Sequence, residues 1–225
     1  MKFESVHSMA ETVCVPMLRG AQNEDGGWGF RPGVQSRVEA TCWAVKALSG
    51  MQEKSGGDAA DAERIERGLK FLTAAQLSNG SWAAMPGETT GSWVTSLACW
   101  TLAGLDTQKY AKAIAVGLRW VCDDWPKDSS WLQKTLRKLS SAKKLAKQND
   151  SYRGWGWTPG TSSWVEPSSF ALLALEHAGT VGLADIAAKR RSSRSSSRVA
   201  ARRCARARQR PTSSCERFLP APHSP

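Results

Sequence analysis

Two glutamates occupy the same position in a recurring sequence pattern, each time at the start of a helical stretch. Glu39 and Glu166 each stand seven residues after the proline of a Pro-Gly pair. A carboxyl group in an apolar pocket has a raised pKa and can serve as a general acid. A glutamate in a first helical turn also interacts favourably with the helix dipole, so both interpretations stay open. Trp93 holds this position in a third copy, which argues against an obligatory acid there.

The pattern around these glutamates is an internal repeat. In each copy a tryptophan stands four residues before the proline, a hydroxyl residue nine after it and a leucine sixteen after it. The three sets are Trp28, Thr41 and Leu48; Trp82, Thr95 and Leu102; Trp155, Ser168 and Leu175. Three offsets that agree across three copies indicate one structural unit used repeatedly. Apolar residues at helical spacing predict helices over 4–20, 37–50, 59–77, 92–104 and 107–122, with Gly50 ending the second.

A second spacing, Gln-x3-Gly-x-Trp, occurs at Gln22–Trp28 and again at Gln76–Trp82, with a degenerate copy at Asn149–Trp155. It resembles the QW motif of squalene–hopene and oxidosqualene cyclases, in the prenyltransferase/squalene-oxidase repeat family, and the resemblance covers residues 4–188. We expect the glutamine to bond free backbone groups and the glycine to permit a tight turn, tying one helix end to the next helix start. The resemblance implies an all-α fold, an α/α toroid of helical-hairpin repeats around an apolar cavity. The chain has roughly four helix pairs where that family uses about six, so we expect an incomplete arc.

The resemblance also indicates where chemistry would occur. Squalene–hopene cyclases use a D-x-D-D acid motif, and Asp123-Asp124 is the nearest match, without the first aspartate and at a helix end. In a toroid the positions of Glu39 and Glu166 can face the cavity, although neither has an acidic neighbour within a helical turn. Trp93 and Trp164 are the candidate ligand-binding residues. Tryptophans could line an isoprenoid cavity and stabilise carbocations, or serve only as staple and core residues.

No metal or cofactor is expected. The histidines, His7, His177 and His223, do not cluster in sequence with Cys and Asp as a zinc set would. The six cysteines form no C-x-x-C pair, and Cys42 and Cys99 lie in apolar helical runs where small buried thiols are expected.

The net charge of +11 is concentrated after residue 188, where eleven basic residues accompany one acid. We interpret 1–188 as the repeat domain and 189–225 as a disordered Arg/Ser-rich tail, since the tail has no apolar period. Such a tail could bind RNA or anionic lipid. The alternative is that this segment is translated out of frame. Residues 132–148 read as an inserted cationic helix, whose lysines form a solvated face or contact a membrane surface. No run approaches about 18 apolar residues, so a cytoplasmic protein is expected, with peripheral membrane contact open.

These features together predict a terpenoid cyclase/prenyltransferase-like repeat protein. It would hold an isoprenoid or other apolar ligand on a Trp-lined concave face, and would be incomplete as a catalyst because it has neither a full acid motif nor a zinc set. The alternative is a non-catalytic α/α repeat module that binds a protein partner. Nucleic acid is expected to contact only the basic tail.

Overall fold

Helices are the regular elements of this chain. The structure is a computed structural model that describes residues 9–55, 58–123 and 154–180. A π-helical turn, Ala10–Cys14, leads into helix α1, Val15–Gly20. The helices that follow are α2, Val38–Ser55; α3, Ala59–Ala74; α4, Val94–Leu105; α5, Ala111–Asp123; and α6, Val165–Thr180. Extended pairing within these ranges is limited to isolated bridges, such as Gln22 with Trp28, so the predicted all-α fold is confirmed.

The helices pack in two rows. Helix α4 packs against both α2 and α6, and these three form the front row. Helix α3 packs against α2 and helix α5 against α4; together with α1 they form the back row. An ion pair joins α1 to α3: Nε and Nη2 of Arg19 donate to the two carboxylate oxygens of Asp61, at 2.8 and 2.6 Å. Each copy of the sequence repeat is therefore one back-row helix followed by one front-row helix. Closure into a toroid stays a prediction.

The core lies between the two rows, where the apolar stripe of each helix is buried. In α2 the stripe consists of Val38, Cys42, Val45 and Leu48, which recur at the three- and four-residue spacing of one helix face. Leu97 and Leu102 of α4 and Ile114 and Leu118 of α5 continue the same core. Burial raises the pKa of Cys42 to about 12 and raises that of Cys99, so both are protonated packing residues, which confirms the prediction of buried thiols.

The Pro-Gly pairs form three equivalent turns. In each turn the carbonyl oxygen before the proline accepts a 3.2 Å hydrogen bond from the N–H after the glycine. The glycines, Gly33, Gly87 and Gly160, have φ of 73°, 86° and 78°. Proline followed by a positive-φ glycine is the requirement of a type II turn. The turns let the chain leave the loop and enter the next front-row helix, which begins five to seven residues after the turn glycine.

The repeat tryptophans cap the back-row helices. Their indole N–H groups donate to carbonyl oxygens in the last turns of α1, α3 and α5: Trp28 to Leu18 at 2.8 Å, Trp82 to Leu72 at 2.6 Å and Trp155 to Val121 at 2.8 Å. Carbonyls in a last helical turn lack a partner further along the helix, so each indole supplies a hydrogen bond there. The Leu18 carbonyl also accepts one from the backbone N–H of Ala21. The matching loop positions predicted for Trp28 and Trp82 are confirmed, and Trp155 completes the series.

The repeat hydroxyls hold the same tryptophans from the front row. Thr41, Thr95 and Ser168 accept hydrogen bonds from the backbone N–H groups of the three tryptophans, at 2.9, 2.9 and 2.8 Å. Each tryptophan is thus bonded to the helix before it and the helix after it. This double attachment explains why the tryptophan and the hydroxyl residue keep a constant separation.

The glutamines of the QW-like spacing act differently from the prediction. Gln22 Nε2 donates to the carbonyl of Gly26 and to that of Arg64 within α3, both at 2.9 Å. Gln76 Nε2 repeats this with Gly80 and with Ala113 of α5, again at 2.9 Å. The glutamine therefore ties one back-row helix to the next back-row helix, past the front-row helix that follows it in sequence. The tie from a helix end to the start of the next helix, which the motif predicts, is made by its tryptophan, whereas the partner carbonyl of the glutamine belongs to the neighbouring repeat.

The helix boundaries differ from the predicted ones in one instructive place. Helix α2 continues past Gly50 to Ser55. Gly50 does not adopt the positive φ of a glycine that ends a helix, so the helix runs through it. The inserted helix 132–148, Asp124, the 188 boundary and the tail lie outside the described residues, so these stay predictions. None of the helices in the described ranges is long and apolar enough to cross a membrane.

Candidate aromatic site on the front row

The candidate site lies on the front-row helices, in side chains that are only partly buried against the core. Residues 7, 11 and 14 positions after each repeat proline share one face of a helix, because they are spaced by four and three residues. On α2 these residues are Glu39, Trp43 and Lys46. On α6 the equivalent residues are Glu166, Phe170 and Leu173. The repeat thus places equivalent positions on the two helices that flank α4.

Six rings from the front row and its loops form a continuous series of contacts: Trp43, Trp93, Trp100, Trp157, Trp164 and Phe170. We call this set the aromatic face. Phe170 lies near its centre, with ring centroids 5.6 Å from Trp43, 5.5 Å from Trp93 and 6.2 Å from Trp100. Trp93 meets Trp157 edge-on at 5.2 Å and 88°, and Trp157 lies 6.4 Å from Trp164. Edge-to-face and tilted pairs at these distances are favourable, so the rings support one another.

The aromatic face is an open surface. Trp43 is 41% exposed and Trp164 is 57% exposed, while Trp93, Trp100, Trp157 and Phe170 are half-buried. The backbone N–H of Trp93 donates to the carbonyl of Trp157 at 3.0 Å, which fixes the loop before α6 against the start of α4. Clusters of exposed large apolar side chains mark binding surfaces more often than single ones do.

A lysine closes one end of this surface. The Nζ atom of Lys46 lies 3.5 Å from the ring centroid of Trp100, a close cation–π contact. Burial lowers the pKa of Lys46, and the neighbouring Cys42 acts in the opposite direction. The face therefore already holds one cation against an indole ring.

The two repeat glutamates lie on the two helices that pack against α4. Both occupy the first turns of their helices, as expected. The pKa of Glu39 is raised, first by burial and second by the negative charge of Glu166, while Arg37 lowers it. Glu166 lies on a different helix from Glu39, so its electrostatic effect arises from the packing of α2 and α6 against α4 and not from the sequence spacing within one helix.

The remaining candidate residues are distributed as follows. Asp123 is the exposed last residue of α5, so it belongs to the back row and not to the helices that carry Glu39 and Glu166. Trp93 and Trp164 both belong to the aromatic face. Eight tryptophans take one of two roles: the three repeat tryptophans are buried staples, and five others belong to the aromatic face.

A cleft lies apart from the aromatic face. An open cleft of about 510 Å³ lies between α3 and α5 around the staple residue Gln76, and neither a candidate acid nor a ring of the aromatic face lines it. Among the described residues, no group of three or more His, Cys, Asp or Glu side chains is placed to hold a metal ion.

Sequence reasoning missed Trp43, Lys46, Trp157 and Phe170. A signal for three of them was present, since the offsets of 11 and 14 residues after the repeat proline select Trp43, Phe170 and Lys46. Trp157 carries no helical offset, because it lies in the loop before α6.

Comparison with known proteins gives one partial similarity. The chain is 31% identical over 87 residues to lanosterol synthase of Homo sapiens, a match that covers 32% of this chain and 11% of that protein. The chain therefore spans only about a tenth of the length of this relative, a terpenoid cyclase. No protein-family model matches the chain.

Proposed function

We propose that the aromatic face binds an isoprenoid or similar apolar ligand, in a terpenoid cyclase-like repeat protein that does not complete a catalytic cycle alone. The observation that carries this proposal is the set of six contacting rings, supplied by three helices and a loop, that stay partly open to solvent. The similarity to lanosterol synthase over part of the chain supports the same class of ligand.

The physical basis is the burial of apolar surface. Covering exposed ring surface stabilises a complex by about 25 cal/mol for each Å² removed from water. Trp43 and Trp164 stand at opposite sides of the face and leave large parts of their rings for a ligand. An elongated hydrocarbon can contact several rings in succession, which a small polar ligand cannot do.

The same openness argues against cyclisation by this chain alone. Protonating an unactivated alkene needs a strong acid in a water-free pocket, and a carbocation must be protected from water. Trp164 is 57% exposed, so water reaches this part of the face. Burial and the negative charge of Glu166 raise the pKa of Glu39, which makes it a weaker acid.

The experiment is a titration with dansyl-farnesol, followed by the fluorescence of the ligand. Saturable binding is expected for the wild type. Trp164→Ala should weaken it about tenfold, because the change removes a large aromatic contact surface. Met17→Ala is the matched control, because Met17 is a comparably exposed apolar side chain on the back row, at 65%. Equal losses in the two variants, or unsaturable binding, would contradict the proposal.

The alternative function, binding of a protein partner, is favoured by a different side of α6. Val165 and Leu172 are 84% and 56% exposed and lie seven residues apart, on the same side of that helix. Neither residue belongs to the aromatic face. A change of Leu172→Asp that abolishes association with a partner while dansyl-farnesol binding persists would assign protein binding to this side.

A further inference from the structure

Successive back-row helices meet at two places that are built alike, and we call these places joints. At the first joint, between α1 and α3, Gln22 bonds the carbonyl of Arg64 in α3. At the second joint, between α3 and α5, Gln76 bonds the carbonyl of Ala113 in α5. Positions counted from the glutamine and from the bonded carbonyl are therefore equivalent in the two joints.

An ion pair and a second arginine fill the first joint. Arg19 donates to both carboxylate oxygens of Asp61, at 2.8 and 2.6 Å, and Asp61 is only 2% exposed. Arg67 of α3 also reaches across the joint, where its Nη2 donates to the carbonyl of Asn23 at 3.0 Å. The three side chains of this filling stand three residues before the glutamine, and three before and three after the bonded carbonyl.

The second joint has other residue types at these positions. Thr73, Tyr110 and Val116 stand there in place of Arg19, Asp61 and Arg67. The Thr73 hydroxyl bonds carbonyls of its own helix, those of Leu69 and Lys70, and so does not bridge the joint. All three replacements line the open cleft of about 510 Å³ described above, a volume in the range of small-molecule sites. The cleft is therefore the place that an ion pair and an arginine occupy in the first joint.

Tyr110, just before α5, brings an unsatisfied hydroxyl to this cleft. The residue is 7% exposed, and its hydroxyl oxygen is buried without a hydrogen-bond partner among the described residues. Glu66 raises the pKa of Lys109 most and Tyr110 adds to that effect, but no hydrogen bond of acceptable geometry joins the hydroxyl to the ammonium. A buried hydroxyl without a partner destabilises a protein, so an acceptor placed in the cleft would recover that loss.

Two other donors of the lining are also available. The Lys112 ammonium and the Ser78 hydroxyl line the same cleft, are exposed and have no partner among the residues that the structure describes. Together with the Tyr110 hydroxyl they offer hydrogen bonds to an acceptor-rich group, such as a carboxylate.

The charges near the cleft also favour an anion. The lysines are Lys70 near the end of α3, Lys109 and Lys112, and the acids are Glu66 and Asp106, so three positive charges stand against two negative ones. Both acids are engaged with Lys109, Glu66 with its ammonium at 2.8 Å and Asp106 with its backbone N–H at 2.8 Å. The charge of the lining that stays unpaired is that of Lys112.

The rest of the lining is apolar. Leu77, Ala113 and Val116 contribute aliphatic surface, and the ring of Tyr110 adds aromatic surface. An inorganic anion would leave this surface uncovered, whereas the apolar body of an organic acid would remove it from water. A cation would meet Lys112 and find no carboxylate in the lining of the cleft.

We propose that the cleft of the second joint binds a small organic acid. Its carboxylate accepts a hydrogen bond from the Tyr110 hydroxyl and pairs with Lys112, and its apolar body lies against Ala113 and Val116. The site is separate from the aromatic face and does not depend on the function proposed for that face.

The test uses a signal from Tyr110 itself. The chain has two tyrosines, Tyr110 and Tyr152, so incorporation of 3-fluorotyrosine gives two fluorine resonances, of which Tyr110→Phe removes one. The full chain is titrated with benzoate, benzamide and benzylammonium, which share a ring and differ in charge. Benzoate should shift the Tyr110 resonance saturably and about fivefold more tightly than benzamide, since charge-assisted hydrogen bonds are the stronger ones. Benzylammonium should leave this resonance in place.

Tyr110→Phe separates a binding role of the hydroxyl from a structural one. The Tm of the free protein should stay the same or rise, because the variant removes an unsatisfied buried hydroxyl. Benzoate at about twenty times its Kd should raise the Tm of the wild type by roughly 4–7 °C relative to an equal concentration of chloride. In Tyr110→Phe the same benzoate concentration should give about a third of that rise, which corresponds to a tenfold weaker Kd.

Two further variants test the charge and the open space. Lys112→Gln should weaken benzoate about threefold, the range of an exposed ion pair, whereas Lys54→Gln, which changes an exposed lysine of α2, should have no effect. Thr73→Arg combined with Tyr110→Asp gives the second joint the ion pair of the first. It should keep the far-UV circular dichroism of the wild type and abolish the rise in Tm with benzoate.

The results that would overturn the site are equally definite. They are a Tyr110 resonance that benzoate does not move, equal responses to the three probes, and full stabilisation by benzoate in Tyr110→Phe. A Tm of free Tyr110→Phe more than about 4 °C below that of the wild type would also overturn it, since the hydroxyl would then have a structural partner. None of these results would affect the binding of dansyl-farnesol to the aromatic face.

Discussion

Gly117 of α5 is a position inside a helix where one added methyl group should destabilise the fold. A Cβ built there lies 2.6 Å from Sγ of Cys99 and 2.8 Å from Cζ3 of Trp82, both far below ordinary contact distance. Neither neighbour can move easily. Cys99 and Trp82 are fully buried, and Trp82 is held by hydrogen bonds to Leu72 and Thr95.

The magnitude follows from two opposing effects. Alanine is favoured over glycine within a helix by about 1 kcal/mol. Overpacking a buried site costs about 1–3 kcal/mol, and we expect the upper end here because the indole is fixed at two points. The predicted net effect of Gly117→Ala is therefore a loss of about 1–2 kcal/mol of unfolding free energy.

Gly50 provides the matched control. It also lies within a helix, but a Cβ there meets nothing within 4 Å. Gly50→Ala should therefore stabilise the protein by about 0.5–1 kcal/mol. With about 2–4 °C of Tm for each kcal/mol in a chain of this size, the two variants should differ by roughly 3–12 °C. Thermal unfolding followed by far-UV circular dichroism measures this difference. Shifts in the same direction for both variants would refute the packing argument.

Three further predictions concern the staple, the acids and catalysis. Thr95→Val should lower the unfolding free energy in urea by about 1–3 kcal/mol by leaving the Trp82 N–H unpaired, whereas Thr89→Val on the exposed loop should be neutral. Glu39→Gln should raise Tm at neutral pH, because it should increase the free energy of unfolding by less than about 1 kcal/mol. The folded-state pKa of Glu39 is raised, so its carboxylate destabilises the fold above that pKa. The benefit of the variant should fade as pH falls through the raised pKa towards 4.5, and a constant benefit would contradict the assignment. Purified protein incubated with squalene should give no cyclic product by mass spectrometry; product that is lost in Asp124→Asn, Glu39→Gln or Glu166→Gln would contradict the catalytic incompleteness and assign the acid.

The staple could be predicted from sequence because its parts lie within one repeat. The separations between Trp82, the Pro-Gly turn and Thr95 are local and constant, so the offsets alone located the loop and the front-row helix. The turn glycines followed from the same reasoning, since proline before glycine specifies the backbone conformation. The all-α class followed from the helical spacing of the apolar residues.

The features that sequence reasoning missed depend on contacts between repeats. Gln76 bonds Ala113, 37 residues later, and nothing in the local spacing identifies that carbonyl. The charge of Glu166 acts on Glu39 because both helices pack against α4. From its position in the sequence Lys46 would be interpreted as a solvated lysine on a helix surface, yet its ammonium group lies over the Trp100 ring. In each case the contact is decided by how neighbouring helices pack, which a single repeat does not encode.

The central claim is that an isoprenoid ligand occupies the aromatic face and not the cleft of the back row. A diazirine-bearing farnesol analogue, crosslinked by light and mapped by tryptic digestion, tests this directly. The account predicts labelled peptides 38–46, which contains Trp43, and 154–189, which contains Trp157, Trp164 and Phe170. Excess unlabelled farnesol should abolish both. Labelling concentrated on residues 110–119, where Tyr110, Ala113 and Val116 line the cleft, would contradict it.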